Sequence, residues 1–365
     1  MSNKNSYLIQ LDGIRAIAVS IVMISHFVPY KLIRFVPLGS MGVNIFFVLS
    51  GFLITRILIK SKIENELINR NNFYSLKQFY FRRTLRIFPI YYLTIFTLYL
   101  FHLVPDRAHL YWLLSYLMNI KFSLPDVWES NYFGHFGHFW SLCVEEQFYL
   151  FFPFLVLFIS TNKLKKTFLF LIFIGVFSRF LLYYFNAPLN SLYVLTPTCF
   201  DAFGIGALLA YLYIFEKEKL EKILDKRSSI IILVLVFILS LIISRHFIIN
   251  YKECRTVLER FLFSLCCFYF VGIAALGNYK GKIKLFLENP LVLYTGKISY
   301  GLYIFHNFVP YLMNIFAKKY NISALLYIKS HLFTSFIFYT LITFIIATLS
   351  WHIIEYPISK LKNKY

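Results

Sequence analysis

The sequence predicts an all-α, polytopic integral membrane protein, and three observations carry that prediction. Of its 365 residues, 59% are hydrophobic and only 15% are charged, whereas soluble domains carry about 45–50% apolar and about 25% charged residues. Ten stretches stay apolar over the roughly 20 residues that a helix needs to cross a bilayer. The 37 Lys and Arg residues are dense in alternate connectors and sparse in those between, which is the pattern of the positive-inside rule. The formal charge of +20 is therefore read as topology, and no nucleic-acid partner is expected.

The expected spans follow in chain order. The first ten residues are polar, and the apolar run after them lacks a small-residue cleavage site, so 14–35 is expected to be a retained helix and not a removed signal. The second and third spans are 42–59 and 87–104, separated by a basic, Asn-rich connector. Next comes an apolar piece, HLYWLLSYLMNI at 109–120, which is too short to span. The remaining spans are 141–159, 167–185, 197–215, 229–249, 259–277, 293–316 and 331–354.

Leaving 109–120 out of the membrane puts 23 Lys and Arg residues on the side of the N-terminus and 10 on the other, with Arg15, Arg179, Arg260 and Lys297 inside helices. Counting it as a span would throw KLKK, EKEKLEKILDKR and KGKIK to the outer side, against the rule. The expectation is ten spans, both termini cytoplasmic, and an outer segment of 105–140 holding a short helix. A single transmembrane domain is expected over 1–365, with no appended soluble domain. Repeated halves, the mark of many transporters, are not visible. The five cysteines are an odd number, and Cys143, Cys199, Cys266 and Cys267 lie in apolar stretches, which argues against a disulfide framework.

Four clusters of polar residues stand out because ionisable groups in a membrane are costly. The stretch LDGIRAIAVSIVMISHF holds Arg15 and His26 eleven residues apart. On a helix that is about 16.5 Å of rise with the two side chains within about 20° of each other. Arg15 suits either a positive-inside anchor or an anion-binding mouth. His26, expected near mid-bilayer, suits either a hydrogen-bonded core position or a general base, since its ordinary pKa of about 6.5 leaves it largely neutral near pH 7.

The second cluster, YFRRTLRIFPIYY, places Arg83 and Arg86 on one helix face. Read as the opening of the third helix, they are either topological anchors or a forked array for phosphates aided by the helix dipole. The third, HFGHFWSLCVEEQFYLFFPF, brings Glu145 and Glu146 into an apolar helix. Adjacent carboxylates point about 100° apart, so at least one is expected to face an interior or a cavity. There it would orient a histidine, bind an acceptor hydroxyl, or pair with Arg15 or Arg179. His135 and His138 precede it at H-x-x-H spacing but lack the further ligands of a zinc helix, and no metal is expected. The fourth, YTGKISYGLYIFHNFVPYL, carries Lys297, Ser299, Tyr300, Tyr303 and His306, which line a cavity or permit close helix packing. Near the C-terminus, Glu355 before Pro357 reads as a helix stop.

Taken together, LDGIRAIAVSIVMISHF, GVNIFFVLSGFLI, YFRRTLRIFPIYYL, HFWSLCVEEQFYLFFP, SYGLYIFHNFV and WHIIEYPI stand in the order seen in membrane-bound acyltransferase family 3. The resemblance covers essentially the whole chain. It implies an O-acyltransferase of the bacterial inner membrane that takes an acyl group, by default acetyl from acetyl-CoA, and places it on a surface polysaccharide such as lipopolysaccharide O-antigen, or on another glycan, a glycolipid or a glycosylated small molecule. It implies catalytic roles for His26 and Arg15 through R-x10-H and donor use for Arg83 and Arg86 through R-x-x-R. Glu145, Glu146, His138 and His306 are left as acceptor-site or orienting candidates. No permanently bound cofactor is expected. Acyl-CoA, the glycan acceptor, membrane lipid and other envelope-assembly proteins are the partners implied. Direct attack assisted by His26 and a transient acyl-His26 are both compatible with the motifs, and a glycolipid transporter or a non-catalytic assembly scaffold is the rival class.

Overall fold

The computed structural model describes residues 7–33, 36–104, 107–124, 135–246, 252–322 and 331–361. The end of the first expected span at 34–35, the end of the seventh at 247–249 and the part of the outer segment at 125–134 lie outside the described residues. Among those described, every regular element is a helix.

Each of the ten expected segments is helical. We label α1 Ile9–Phe27, α2 Leu38–Leu67, α3 Asn72–Leu100, α4 Phe139–Phe158, α5 Thr161–Tyr184, α6 Phe200–Phe215, α7 Arg227–His246, α8 Lys252–Leu276, α9 Pro290–Lys297, α10 Ser299–Phe305, α11 Phe308–Lys319 and α12 Leu332–Ser350. Seven helices among the described residues are long and apolar enough to cross a membrane: α1, α2, α4, α5, α6 with the turn before it, α8, and α12 with its continuation to Lys360. Of the other expected spans, α3 is interrupted by its arginines, α7 offers the shorter apolar stretch Ser228–Ile242, and the ninth is broken into α9, α10 and α11. Pro310 has no N–H to bond the carbonyl of His306, four residues earlier, and the chain turns at His306 and Asn307.

The residues at 109–120 do not form one helix. They divide between the short helices Arg107–Leu114 and Met118–Ser123, and the second is tied to α4 where the Gln147 amide donates to Asn119 Oδ1 at 2.8 Å and to the Tyr116 carbonyl at 2.7 Å.

At the centre, α2 packs against α1, α6 and α8, and α5 backs α6. Two glycines permit the α2–α6 approach. A Cβ on Gly51 would collide with the Phe203 carbonyl, and one on Gly206 with the Val48 carbonyl, as expected where small residues let membrane helices touch backbone to backbone. Stacked rings join three helices at this level: Phe203 lies 4.7 Å from Phe47 and 4.0 Å from Phe148, centroid to centroid.

Three boundaries differ from expectation. Helix α1 stops at Phe27 because Pro29 disfavours helical backbone at Val28, which is extended, so His26 stands in its last turn and not at mid-span. Helix α3 begins at Asn72, capped by the Asn71 side chain, because Leu76 and Phe79 continue the buried face toward the N-terminus. Arg83 and Arg86 therefore lie about three turns inside the helix, beyond reach of the N-terminal dipole, which fades within the first turn. Finally, Glu355 does not end the last helix. The chain passes through a π-helical turn, Trp351–Glu355, into Tyr356–Lys360, a local widening that accommodates the N–H missing at Pro357.

Candidate active site

Two adjoining cavities hold the polar side chains singled out above. The first is lined by Arg15 from α1, Ser50 from α2, Arg83 and Arg86 from α3, and Glu145 and Glu146 from α4. The two adjacent carboxylates thus reach the same cavity despite their angular separation. Arg15 is already paired, its guanidinium bonding Asp12 at 2.6 Å, and Tyr7 also donates to Asp12. Arg83 lies over the Tyr149 ring at 5.1 Å and the Phe79 ring at 5.7 Å. Among the described residues neither Arg83 nor Arg86 makes a salt bridge, and Arg86 is exposed to the cavity.

The carboxylates are held differently. Tyr149 donates to Ser50 Oγ at 3.1 Å, and Ser50 donates in turn to Glu145 Oε1 at 2.9 Å. Glu146 Oε1 is buried with no hydrogen-bond partner. The expected pairing of these carboxylates with Arg15 or Arg179 is not found, because Asp12 takes the first arginine and Asp201 the second. Arg179 and Asp201, both fully buried, are joined at 2.7 and 2.9 Å, and Arg179 also donates to the Thr198 carbonyl at 2.5 Å.

The second cavity is lined by His26, His138, Trp140, Tyr193, Tyr303 and Asn307, with Ser40 and Val43 of α2. Val43 and Tyr303 line both cavities and form the wall between them. The Tyr303 hydroxyl is fixed by Ser141 Oγ at 2.5 Å and by the His138 carbonyl at 3.1 Å.

Three histidines meet here although they come from α1, the residue before α4, and the turn after α10. The His306 ring lies 4.8 Å from that of His26 and 4.9 Å from that of His138. His306 donates from Nδ1 to the Tyr303 carbonyl at 2.6 Å, since a carbonyl can only accept, and its buried Nε2 has no partner. His138 donates from Nε2 to the Ile304 carbonyl at 3.0 Å, so its Nδ1 is the acceptor that faces the Asn307 amide at 3.3 Å. These contacts place a proton on Nδ1 of His306 and on Nε2 of His138. His26 is exposed into the cavity and makes no hydrogen bond among the described residues.

The expected contact between a carboxylate and a histidine is absent, because Glu145 and Glu146 line the arginine cavity and not the histidine one. Among the described residues no group of three or more His, Cys, Asp or Glu side chains is placed to hold a metal ion. Sequence reasoning missed Asp12, although its i, i+3 spacing to Arg15 was visible. It also missed Ser50 and Asn44, whose signal was two polar residues in the apolar run GVNIFFVLSGF.

A helical bundle whose ionisable side chains converge in two adjoining internal cavities defines an integral membrane protein with its site inside the fold. Residues 8–353 match the family profile described as the acyltransferase domain, and the chain belongs to that family, as its R-x10-H and R-x-x-R motifs led us to expect. The chain is 28% identical over 380 residues to a Staphylococcus aureus (strain COL) protein provisionally named an O-acetyltransferase, with 98% of this chain and 58% of the relative covered. It is 29% identical over 376 residues to the peptidoglycan O-acetyltransferase OatA of Listeria monocytogenes serovar 1/2a, covering 97% and 56%. It is 26% identical over 369 residues to the O-acetyltransferase OatA of Staphylococcus aureus strain NCTC 8325, covering 97% and 57%. The chain thus spans little more than half the length of these relatives. No solved structure matches it.

Proposed function

We propose that this chain transfers an acetyl group from acetyl-CoA to a hydroxyl of a cell-envelope glycan, at the cytoplasmic membrane of a bacterium. The observation that carries the reading is the placement of two guanidiniums without salt bridges, Arg83 and Arg86, in one cavity with an unbonded, cavity-exposed His26 in the next. Unpaired arginines inside a membrane protein need an anion, and their planar forks match phosphate oxygens. The donor is assigned its nucleotide phosphates there, while an extended pantetheine arm covers the rise of about 16.5 Å along α1 from Arg15 to His26. The thioester then passes the wall at Tyr303.

In the transfer step His26 accepts the proton of the glycan hydroxyl. The oxygen attacks the thioester carbon, the new C–O bond forms, and the C–S bond breaks. The electron pair leaves with the CoA sulfur, which takes up a proton. The unbonded state of His26 favours this role, because neither ring nitrogen is committed to a structural partner. Arg15 lines the donor end, with its charge balanced by Asp12 at 2.6 Å.

Among the three relatives the acceptor that a name states is peptidoglycan. This favours a peptidoglycan-like glycan over the lipopolysaccharide O-antigen that the resemblance first suggested, and the lipopolysaccharide assignment finds no support among them.

The test is His26→Gln, which keeps a hydrogen-bonding side chain but cannot take a proton near neutral pH. At membrane abundance matched to wild type, mass analysis of envelope glycan should show O-acetylation reduced at least about 100-fold, the lower end of what a positioned acid–base group supplies. Near wild-type acetylation by that variant would make His26 structural and overturn the mechanism.

A further inference from the structure

A third cavity lies beyond the histidine cavity and takes no part in the reading above. Gly39, Ser40 and Tyr193 line both, so the two adjoin across these residues. The last turn of α1 divides between them, with Ser25 in the third cavity and His26 in the second. A molecule seated in the third cavity therefore lies one wall of side chains away from the proposed base.

The lining states what kind of molecule fits. Asn44, 1% exposed, spends its amide donors on the Arg260 carbonyl at 3.2 Å and on Ser264 Oγ at 2.7 Å. The carbonyl can only accept, so the amide cannot flip, and Asn44 Oδ1 is left as a buried acceptor without a partner. An orphaned acceptor of this kind is expensive unless a ligand donor completes it. Arg260 does not serve as an anion hook, because its guanidinium already donates to the Tyr193 carbonyl at 2.9 Å and to Cys199 Sγ at 3.0 Å. Glu259 beside it brings the formal charge of the wall to zero. Tyr193 and Phe263 add apolar ring faces, which suit the C–H faces of a sugar ring.

We propose that this third cavity is the acceptor subsite and that it binds a neutral, hydroxyl- or acetamido-bearing sugar, one of whose O–H or N–H groups donates to Asn44 Oδ1. The assignment rests on the glycan acetyltransferase reading and deepens it. It distinguishes neutral sugars from acidic ones, since the single guanidinium that would select a carboxylate is spent within the fold.

The experiment is binding to the purified full chain in lipid nanodiscs, with chitotetraose as the neutral probe, oligogalacturonate as the acidic one, and acetyl-CoA as the control for an intact donor site. Chitotetraose should bind wild type, and Asn44→Leu should weaken it at least tenfold while acetyl-CoA affinity stays within about twofold. Asn190 also lines the third cavity, and Asn190→Ala, a milder change, should weaken chitotetraose in the same sense, so a misfolded Leu variant does not decide the matter. Wild type that binds no chitotetraose, or binds oligogalacturonate more tightly, overturns the neutral-sugar subsite. So does chitotetraose affinity unchanged in both variants. None of these results depends on turnover, so a wild-type chain that acetylates no glycan in cells is a separate result and refutes the reaction itself.

Discussion

Arg15, Arg179 and Arg260 each spend their guanidinium inside the fold, on Asp12, on Asp201 with the Thr198 carbonyl, and on the Tyr193 carbonyl with Cys199 respectively. Arg83 and Arg86 make no salt bridge among the described residues, although Arg83 lies over the Tyr149 and Phe79 rings, and their forks remain open to a ligand anion. Arg83→Lys and Arg86→Lys keep the charge and lose the fork. If phosphate is the ligand, each should raise the acetyl-CoA concentration needed for half-maximal transfer by about tenfold or more, in keeping with the roughly 1.5 to 3 kcal/mol carried by hydrogen bonds to charged groups. Wild-type donor dependence in both would leave these residues as anchors of topology. At this scale the sequence was legible where a residue violated its surroundings: Arg15, His26, Arg83, Arg86 and the two glutamates all proved to line cavities. It was not legible where the role depended on a neighbour remote in the chain. Nothing near Asn44 announces that Arg260 and Ser264 will consume its amide, and nothing near His306 shows that its ring will lie between those of His26 and His138.

Element positions were readable and element ends were not. Within the described residues each of the ten apolar stretches is mainly helical, the ninth in three pieces, because the length of an apolar run is a sum over many residues and survives local error. The ends are set by single events: Pro29 beyond α1, the Asn71 cap of α3, the missing N–H of Pro310 in the broken ninth segment. The α5–α6 pair shows what else the pattern hid. Its contact is organised by the fully buried Arg179–Asp201 bridge, 22 residues apart in sequence, at the place where Gly175 lets the Asp201 backbone come close. Removing one partner strands the other charge, whereas replacing both with apolar residues removes the desolvation cost as well. Arg179→Met should therefore destabilise the protein by about 3 to 5 kcal/mol, and Arg179→Met combined with Asp201→Leu should recover most of that loss. Thermal unfolding in detergent, followed by the yield of monodisperse protein, measures both. A double variant as unstable as the single one would show that the pair orders the α5–α6 contact by more than cancelling charge.

For the whole molecule, function depends on which cavity faces which side of the membrane, since the proposed donor is cytoplasmic and the proposed acceptor lies in the envelope. Helices α5 and α6 run antiparallel, and Lys165 near the start of α5 bonds Glu216 at the end of α6 at 2.6 and 2.8 Å. The Lys165 ammonium holds the Glu216 carboxyl below the usual carboxylate range. These two ends therefore share one face of the bundle, and it is the face where the positive-inside count puts KLKK and EKEKLEKILDKR. The short helices Arg107–Leu114 and Met118–Ser123 precede α4, which is long and apolar enough to cross once, so they belong on the opposite face. Single cysteines replacing exposed Tyr111 and exposed Lys166, in a chain freed of its five native cysteines, separate the possibilities with a membrane-impermeant maleimide applied to intact cells. The cysteine at 111 should react from outside, and the one at 166 only after the membrane is opened. If both reacted from the same side, α4 would not cross between them. The arginine cavity would then lose its assigned access to cytoplasmic acetyl-CoA, and the direction of transfer from donor to acceptor would have to be redrawn.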